Sequence, residues 1–238
     1  MQISKLVCLI AISLTAGCVT TSELTKSKIV DFARVSFPIT SECFTGPLTL
    51  QDEGCQKEPL PAVVFLHGCS GLNGRQFDHI SIFNELGYVV FAPSSFARPN
   101  RSSSCGRANS VLGWRHEEAR LMLERVRQFD WVDQNRVVLA GFSEGGIAAA
   151  EYGGDDFNAV VAIGFGCSKR NFKASSNIPA LHINGRHDTE VSDNSLCSDV
   201  FRGQFEAIYV DTGHPVAHDP KTKATIDKFL STAFADVK

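Results

Sequence analysis

The architecture follows from residues 136–150, which are Arg-Val-Val-Leu-Ala-Gly-Phe-Ser-Glu-Gly-Gly-Ile-Ala-Ala-Ala. The apolar, β-branched start of this stretch predicts a buried strand, and its small-residue end predicts the first turns of a packed helix. Between them lies a Gly-x-Ser-x-Gly pattern, in which a sharp turn exposes a serine hydroxyl above a sheet. The flanking glycines have a steric reason, because side chains there would collide with the neighbouring strand and helix. Ser143 is therefore a candidate nucleophile, and the alternative is an ordinary glycine-rich turn.

Apolar runs and helical patterns alternate on both sides of this turn from residue 62 onward. Runs with little polar alternation, separated by helices, predict a mostly parallel sheet with helices on both faces. The predicted strands cover 62–66, 88–92, 136–140, 159–163, 180–183 and 206–210, and the predicted helices cover 76–86, 117–129, 146–150 and 222–234. Before them, residues 29–61 contain short alternating stretches separated by Pro and Gly, which predict an antiparallel hairpin at a sheet edge.

The composition suits one globular domain, which we place at residues 29–238. The chain has 238 residues, of which 43% are hydrophobic, and this is enough to bury a sizeable core. The formal net charge is −3 and no basic run occurs, so we do not expect nucleic acid as a partner. The long polar connection at 94–113 is a candidate functional loop.

The first 18 residues have the pattern of an export signal. A short start with one positive charge precedes the apolar run 6–14, which is too short to span a bilayer. The following Leu-Thr-Ala-Gly-Cys resembles the lipobox of bacterial lipoproteins, in which the cysteine is lipidated. We therefore expect a signal peptide at 1–18, a membrane anchor through lipid on Cys18, a polar tether at 19–28, and a location in the bacterial cell envelope (periplasm or outer membrane). The alternative is a simple secretory signal with an incidental cysteine.

Six cysteines remain once Cys8 and Cys18 are assigned to the signal peptide. An even number in an oxidising compartment suggests three disulfides, although six cysteines allow about 15 connectivities. Chain order favours the local pairs Cys43–Cys55, Cys69–Cys105 and Cys167–Cys197. Free buried thiols are the alternative. We expect no metal site, because the chain has no Cys-x-x-Cys and no His/Cys cluster.

A serine nucleophile needs a base and a group that orients the base. Ligands of α/β sheets sit at the carboxyl ends of strands, so both partners should follow later apolar runs. Asp188 follows the run 180–183, and His214 follows the run 206–210. The chain order Ser, Asp, His is the one described for α/β hydrolases, with His214 as general base and Asp188 as its orienting partner. Alternatives for these roles are His187, His218, Asp193 and Asp211.

The tetrahedral intermediate of such a reaction needs two donors for its oxyanion. One candidate is the backbone N–H of Glu144, which directly follows the serine. The other is the backbone N–H of Cys69, in the loop 66–71, where glycines let the backbone approach a substrate. We expect His67 to brace this loop rather than to transfer protons. A plain strand-to-helix turn is the alternative.

Together these motifs make the chain resemble the dienelactone hydrolase family of α/β hydrolases. The resemblance runs from residue 61 to the C-terminus and rests on the His-Gly-x-x-Gly loop at 67–71, Ala92-Pro93, Phe96-Ala97-Arg98, the serine turn, Gly185 with Asp188, and Gly213-His214. It implies an α/β-hydrolase fold with a mostly parallel eight-stranded sheet, no large lid, and no metal or organic cofactor. The enzyme that names the family has a cysteine nucleophile, where this chain has Ser143. It also has a glutamate in the oxyanion loop, where Gly68 stands here.

The resemblance also suggests a substrate site. Arg98 matches a family arginine that binds a substrate carboxylate, and Arg101 and Arg107 lie on the same loop. An anionic substrate would follow, with Arg98 and His67 as candidate contacts. The alternative is three solvated arginines.

The leading prediction is an exported serine hydrolase that cleaves a small ester or lactone through an acyl-enzyme. Ordinary ester hydrolysis is favoured over the specialised lactone reaction, because the nucleophile is a serine. A peptidase or amidase is the first alternative, since the same residues cleave amides. A non-catalytic lipoprotein that binds a ligand in the envelope is the second.

Overall fold

The fold is taken from a computed structural model. The structure describes residues 21–50, 56, 58–166, 173, 177–191 and 205–237. The predicted signal peptide, the lipidation of Cys18, and the disulfide partners Cys55, Cys167 and Cys197 lie outside the described residues and stay predictions.

Within the described residues, eight strands form one sheet. The strands are β1 (Arg34–Ser36), β2 (Gly46–Pro47), β3 (Leu60–Leu66), β4 (Val89–Ala92), β5 (Val132–Phe142), β6 (Ala159–Ile163), β7 (Ala180–Gly185) and β8 (Phe205–Val210). Their order across the sheet is β2-β1-β4-β3-β5-β6-β7-β8. Strand β1 is antiparallel to both neighbours, and every other pair is parallel. The predicted mostly parallel, eight-stranded sheet is confirmed, and so is the antiparallel hairpin at its edge.

Five α-helices accompany the sheet in the described part of the chain. They are α1 (Thr21–Asp31), α2 (Gly74–Glu85), α3 (Leu112–Val126), α4 (Glu144–Ala150) and α5 (Pro220–Ala233). Three short 3-10 helices lie at Leu48–Leu50, Ser95–Ala97 and Ala108–Ser110. None of the helices described is long and apolar enough to cross a membrane.

Helices cover both faces of the sheet because its central strands alternate between two apolar clusters. In β3, the side chains of Ala62, Val64 and Leu66 belong to one cluster. Those of Val63 and Phe65 belong to the other. The first cluster includes the apolar faces of α3 and α4, and the second includes those of α2 and α5. Each fully buried Val, Leu or Phe side chain contributes about 1.5–3 kcal/mol relative to exposure, so both helical layers are held firmly.

Helix α1 occupies most of the segment for which the sequence analysis expects a polar tether. Its residue Ile29 is fully buried, and Val30 packs against the cluster that contains α3 and α4. Lys26 lies 3.7 Å from Glu117 of α3. The helix thus continues the polar stretch 21–28 up to two apolar side chains, Ile29 and Val30, which pack against the domain.

The parallel strands bring their carboxyl ends to one edge of the sheet, where ligands of α/β folds bind. Strand β3 leads into the loop 67–71, and β5 leads into Ser143. Strands β7 and β8 lead into the segments that carry Asp188 and His214. The topology thus collects the candidate residues at this edge.

Candidate active site

Ser143 occupies a strained turn between β5 and α4. Its φ is 56° and its ψ is −119°. Residues other than glycine rarely adopt a positive φ, and it costs about 1–3 kcal/mol. The Ser143 N–H donates to the Ile163 carbonyl at 2.8 Å, which ties the turn to β6. A Cβ at Gly145 would lie 1.9 Å from the Leu66 carbonyl oxygen, so the turn closes over β3 with no room for a side chain there.

Asp188 and His214 form a buried, hydrogen-bonded pair. His214 Nδ1 lies 2.7 Å from Asp188 Oδ2, and the side chains are 4% and 0% exposed. Asp188 Oδ1 accepts from the backbone N–H groups of Glu190 at 2.8 Å and Val191 at 3.2 Å. Because Nδ1 donates to a carboxylate, Nε2 is the nitrogen with a lone pair that can accept a proton.

The His214 ring lies beside the turn that carries Ser143. Its centroid is 4.8 Å from that of Phe142, the residue before the serine. A Cβ at Gly164 would lie 3.5 Å from His214 Cε1. Gly164 directly follows Ile163, whose carbonyl binds the Ser143 N–H. The structure therefore brings the serine, the histidine and the aspartate together at one edge of the sheet.

The alternative bases and aspartates lie elsewhere. His187 Nε2 is 2.7 Å from Asp211, and these side chains are 70% and 76% exposed. His218 is exposed as well and pairs with an aspartate of α2. Asp193 lies outside the described residues. Among the described candidates for the base, His214 is therefore the buried one with a buried carboxylate partner.

Cys69 and Glu144, which carry the predicted oxyanion donors, line a cavity next to Ser143. The cavity has a volume of about 620 Å³. Residues 104–110 form one wall, so the long polar connection borders the site. The lining also includes residues from α4, from the segment after β6 and from the loop after β7, namely Ile147, Gly164, Gly166, Glu190 and Val191.

A disulfide joins Cys69 to Cys105 at this cavity. The pair predicted from chain order is therefore confirmed. The Ser104 N–H also donates to the Cys69 carbonyl, at 3.4 Å. Both bonds tie the oxyanion loop to the cavity wall. Cys43 is disulfide-bonded too, and its predicted partner Cys55 lies outside the described residues.

His67 is fully buried and braces two loops. Its Nδ1 donates to the Gly68 carbonyl at 2.7 Å, and its Nε2 accepts from the Ser95 N–H at 3.0 Å. Burial, and then the nearby Arg115 guanidinium, lowers the pKa of His67 well below 6.5, so the ring is neutral. Both ring nitrogens are bonded within the protein, and His67 is not part of the cavity lining. The structure thus places His67 as a brace of the loop, outside the cavity lining.

Arg98, the other predicted substrate contact, is bonded to two carboxylates of α3. Its Nη2 lies 2.7 Å from Glu117, its Nε lies 2.9 Å from Glu118, and its side chain is 10% exposed. Arg98 also lies outside the cavity lining. The physical reason is that α3 supplies neutralising charge that the loop sequence does not reveal. Of the three loop arginines, Arg107 is the one that lines the cavity.

A buried ion network behind the cavity is absent from the sequence analysis. Arg101 Nη2 donates to Glu144 Oε1 at 2.9 Å, and both side chains are 2% exposed. Arg115 is fully buried, donates to the His67 carbonyl at 2.7 Å and pairs with a glutamate of its own helix. The sequence does contain one indication of this network. The charged run Arg-His-Glu-Glu at 115–118 lies beside the apolar face of α3, and charged side chains at the edge of a core need buried partners.

Acidification should destabilise the fold through its buried histidines. Burial lowers the pKa of His79 and of His182 from 6.5 to about 4. The unfolded chain therefore binds more protons than the folded chain between about pH 6.5 and 4, so the free energy of unfolding should fall as pH falls through that window. We expect each histidine to cost about 3 kcal/mol at pH 4 relative to pH 7. Urea unfolding measured across this range checks the slope.

The matched variant for this prediction is His182→Gln. Glutamine keeps a donor for the Phe165 carbonyl, which lies 2.9 Å from His182 Nε2, but does not titrate. The pH slope of the variant should be shallower than that of the wild-type chain. Equal slopes in the two proteins would contradict the assignment to His182.

Comparison with known proteins yields a family and a fold. The family model described as "Dienelactone hydrolase family" matches residues 52–214. Est1E from Butyrivibrio proteoclasticus, solved with ferulic acid bound, has a TM-score of 0.61 and 12% identity, over 86% of this chain and 95% of that one. A dienelactone hydrolase-like promiscuous phosphotriesterase from metagenomic libraries has a TM-score of 0.57 and 18% identity, over 84% and 97%. The search of curated proteins found no match.

At such low sequence identities, the similarity to solved structures shows the fold alone. The family model, by contrast, matches more than half of the chain and spans the serine turn, Asp188 and His214. The resemblance expected from the motifs is thereby confirmed at the level of the family. The chain belongs to the dienelactone hydrolase family and is a hydrolase.

Proposed function

We propose that this protein is an exported serine hydrolase that cleaves small carboxylic esters or lactones. The observation that carries the proposal is the buried hydrogen bond of 2.7 Å between Asp188 and His214, beside a serine on a positive-φ turn. A buried aspartate bonded to Nδ1 fixes the tautomer in which Nε2 acts as a base. Such a base serves a nucleophile that must lose a proton, and Ser143 carries a hydroxyl on the neighbouring turn.

In the proposed reaction, Ser143 Oγ attacks the carbonyl carbon while His214 Nε2 takes the hydroxyl proton. Asp188 stabilises the imidazolium. The oxyanion accepts hydrogen bonds from the backbone N–H groups of Cys69 and Glu144, which are worth about 3–4 kcal/mol each in comparable sites. The bond to the alcohol then breaks, and His214 gives the alcohol its proton. Water activated by His214 attacks the acyl-enzyme and releases the acid and the free serine.

We further propose that the substrate carries a negative charge. Arg107 lines the cavity, and its guanidinium donates to the Ser103 carbonyl at 3.3 Å. No ion pair of Arg107 is found among the described residues, whereas Arg98 and Arg101 are both neutralised by glutamates. The two acidic residues of the lining are also paired: Glu144 with Arg101, and Glu190 with an arginine of α2 at 3.0 Å and with His214 Nε2 at 3.9 Å. The cavity therefore favours an anion over a cation.

Two features support export and a lipid anchor. The first 18 residues have a charged start, a short apolar run and a lipobox-like end at Cys18. The Cys69–Cys105 disulfide is of a kind that persists in oxidising compartments and is rare in the cytosol. Mass spectrometry of the protein purified from membranes tests the anchor: a diacylglycerol-modified Cys18 at the N-terminus is expected, and an unmodified N-terminus contradicts it.

Labelling with a fluorophosphonate tests the nucleophile. Folded protein should gain a single adduct, which peptide mapping should place on Ser143, because only a serine with a working base reacts rapidly. Protein unfolded in urea is the control and should gain none. Folded protein without an adduct contradicts the proposal. An adduct on another residue would show that Ser143 is not the nucleophile.

A substrate panel separates the related activities. p-Nitrophenyl esters should be turned over and peptide anilides should not. An ester with a carboxylate on its acyl group should have a lower KM than its neutral analogue. Anilide cleavage without ester cleavage would favour the peptidase or amidase alternative.

A further inference from the structure

We propose that the buried Arg101–Glu144 ion pair is the positioning element that holds both oxyanion donors in place. The inference rests on the serine-hydrolase function proposed above and goes beyond it. It assigns a role to two side chains that touch no reacting atom, and it is carried by the contacts of the network behind the cavity.

Glu144 connects this network to the first donor. Its backbone N–H is a proposed oxyanion donor, while its carboxylate is buried. Oε1 accepts from Arg101 Nη2 at 2.9 Å, and Oε2 accepts from Ser104 Oγ. Arg115 Nε lies 3.8 Å from Oε1. Because a buried carboxylate is costly unless it is paired, these contacts determine where the first residue of α4 sits.

Arg101 connects the same network to the second donor. Its Nε donates to Ser95 Oγ at 3.1 Å, and its Nη2 donates to Ser104 Oγ at 3.0 Å. The Ser104 N–H donates to the Cys69 carbonyl, and the next residue, Cys105, forms the disulfide with Cys69. The guanidinium therefore fixes the segment to which the Cys69 loop is bonded.

Arg115 connects the network to the loop that follows β3. Its Nη2 donates to the His67 carbonyl at 2.7 Å, two residues before Cys69, and its Nε faces Glu144. Both proposed donors are thus linked through one set of buried charges. Nothing in this set reaches the cavity as a free charge, so its role is to position rather than to bind.

Loss of this positioning should affect kcat more than KM. Oxyanion donors act when negative charge develops, so their displacement weakens the transition state more than the bound substrate. A misplacement of about 1 Å in such a site lowers the rate about 100-fold. A purely structural ion pair would instead change stability and leave the kinetics of the folded protein unaltered.

The test compares Glu144→Gln with the double variant Arg101→Met/Glu144→Gln in the full chain. The single variant leaves a buried guanidinium without its partner, so kcat for a p-nitrophenyl ester should fall about 100-fold and Tm by about 10 °C, with KM nearly unchanged. In the double variant no charge is unpaired, so Tm should largely recover. Its kcat should stay about 100-fold low, because the neutral pair no longer fixes the loop.

The matched control is Glu124→Gln, which makes the same change in the exposed Arg120–Glu124 pair of α3. Its kcat and Tm should equal those of the wild-type chain. If Glu144→Gln does not fold, Arg101→Lys replaces it: the lysine keeps the charge but lacks the fork that reaches both serines and Glu144, and kcat should fall about 10-fold.

Two results would overturn the inference alone: kcat that recovers together with Tm in the double variant, or an active Arg101→Lys or Glu144→Gln protein with wild-type kcat. A wild-type chain that turns over neither p-nitrophenyl esters nor peptide anilides would overturn the serine-hydrolase proposal and this inference with it.

Discussion

Replacing Ser143 with alanine is expected to lower kcat for ester hydrolysis about 10⁶-fold. The substitution removes the attacking oxygen and leaves the His214–Asp188 pair with no hydroxyl to deprotonate. The backbone donors of the cavity remain, so a small residual rate above that of water should persist. Initial rates with a p-nitrophenyl ester, measured over a long incubation and corrected for spontaneous hydrolysis, check the loss.

Two further variants serve as comparisons for the loss of activity in Ser143→Ala. Asp188→Asn should cost about 10⁴-fold, because an asparagine holds the wrong imidazole tautomer while the serine is still present. Ser81→Ala should change nothing, since Ser81 is exposed on α2 and its Oγ binds the Phe77 carbonyl. Substantial turnover by the Ser143→Ala protein would show that another residue is the nucleophile.

Replacing Gly145 with alanine is expected to prevent folding. The new Cβ would lie 1.9 Å from the Leu66 carbonyl oxygen and 2.8 Å from that of His67. Both atoms belong to the backbone at the end of β3, so no flexible side chain can move aside. Separating α4 from this strand would cost more than about 4 kcal/mol, which is a large part of the stability of a domain of this size. Far-UV circular dichroism and the yield of soluble protein check the outcome.

Gly74→Ala is the matched control for this substitution. Gly74 is also at the start of a helix, and a Cβ there would meet no atom within 4 Å. Its Tm should be unchanged or slightly raised, because alanine is the better helix former. A Gly145→Ala protein that unfolds at the wild-type temperature would show that α4 does not press on β3 as closely as described.

The strands and helices of the core were predictable because they are buried on more than one side. Strand β3 and residues 137–142 of β5 are covered on both faces, so they contain no polar residues, and this pattern is visible in the sequence. Helix α1 was missed because most of its residues are polar. Among the side chains of 24–31 only Ile29 is fully buried, and a single apolar residue has no period that a sequence pattern can reveal.

The surroundings of Arg98 and His67, the two predicted substrate contacts, cannot be read from the sequence. The structure bonds Arg98 to Glu117 and Glu118, and it buries His67 between Gly68 and Ser95. Their partners lie on other elements, and a local sequence pattern does not reveal which elements come into contact.

The sequence by itself determined the family, the strands and helices of the core and the turn that carries Ser143, because backbone sterics and burial act between near neighbours. It also placed Asp188 and His214 after the ends of strands, although their hydrogen bond is visible only in the tertiary structure. Only the tertiary structure decided which arginine faces the cavity and that Glu144 is buried against Arg101, 43 residues away along the chain. A charge is neutralised by groups within a few ångströms of it, and for Arg98 and Arg101 the neutralising carboxylates come from other elements of the fold.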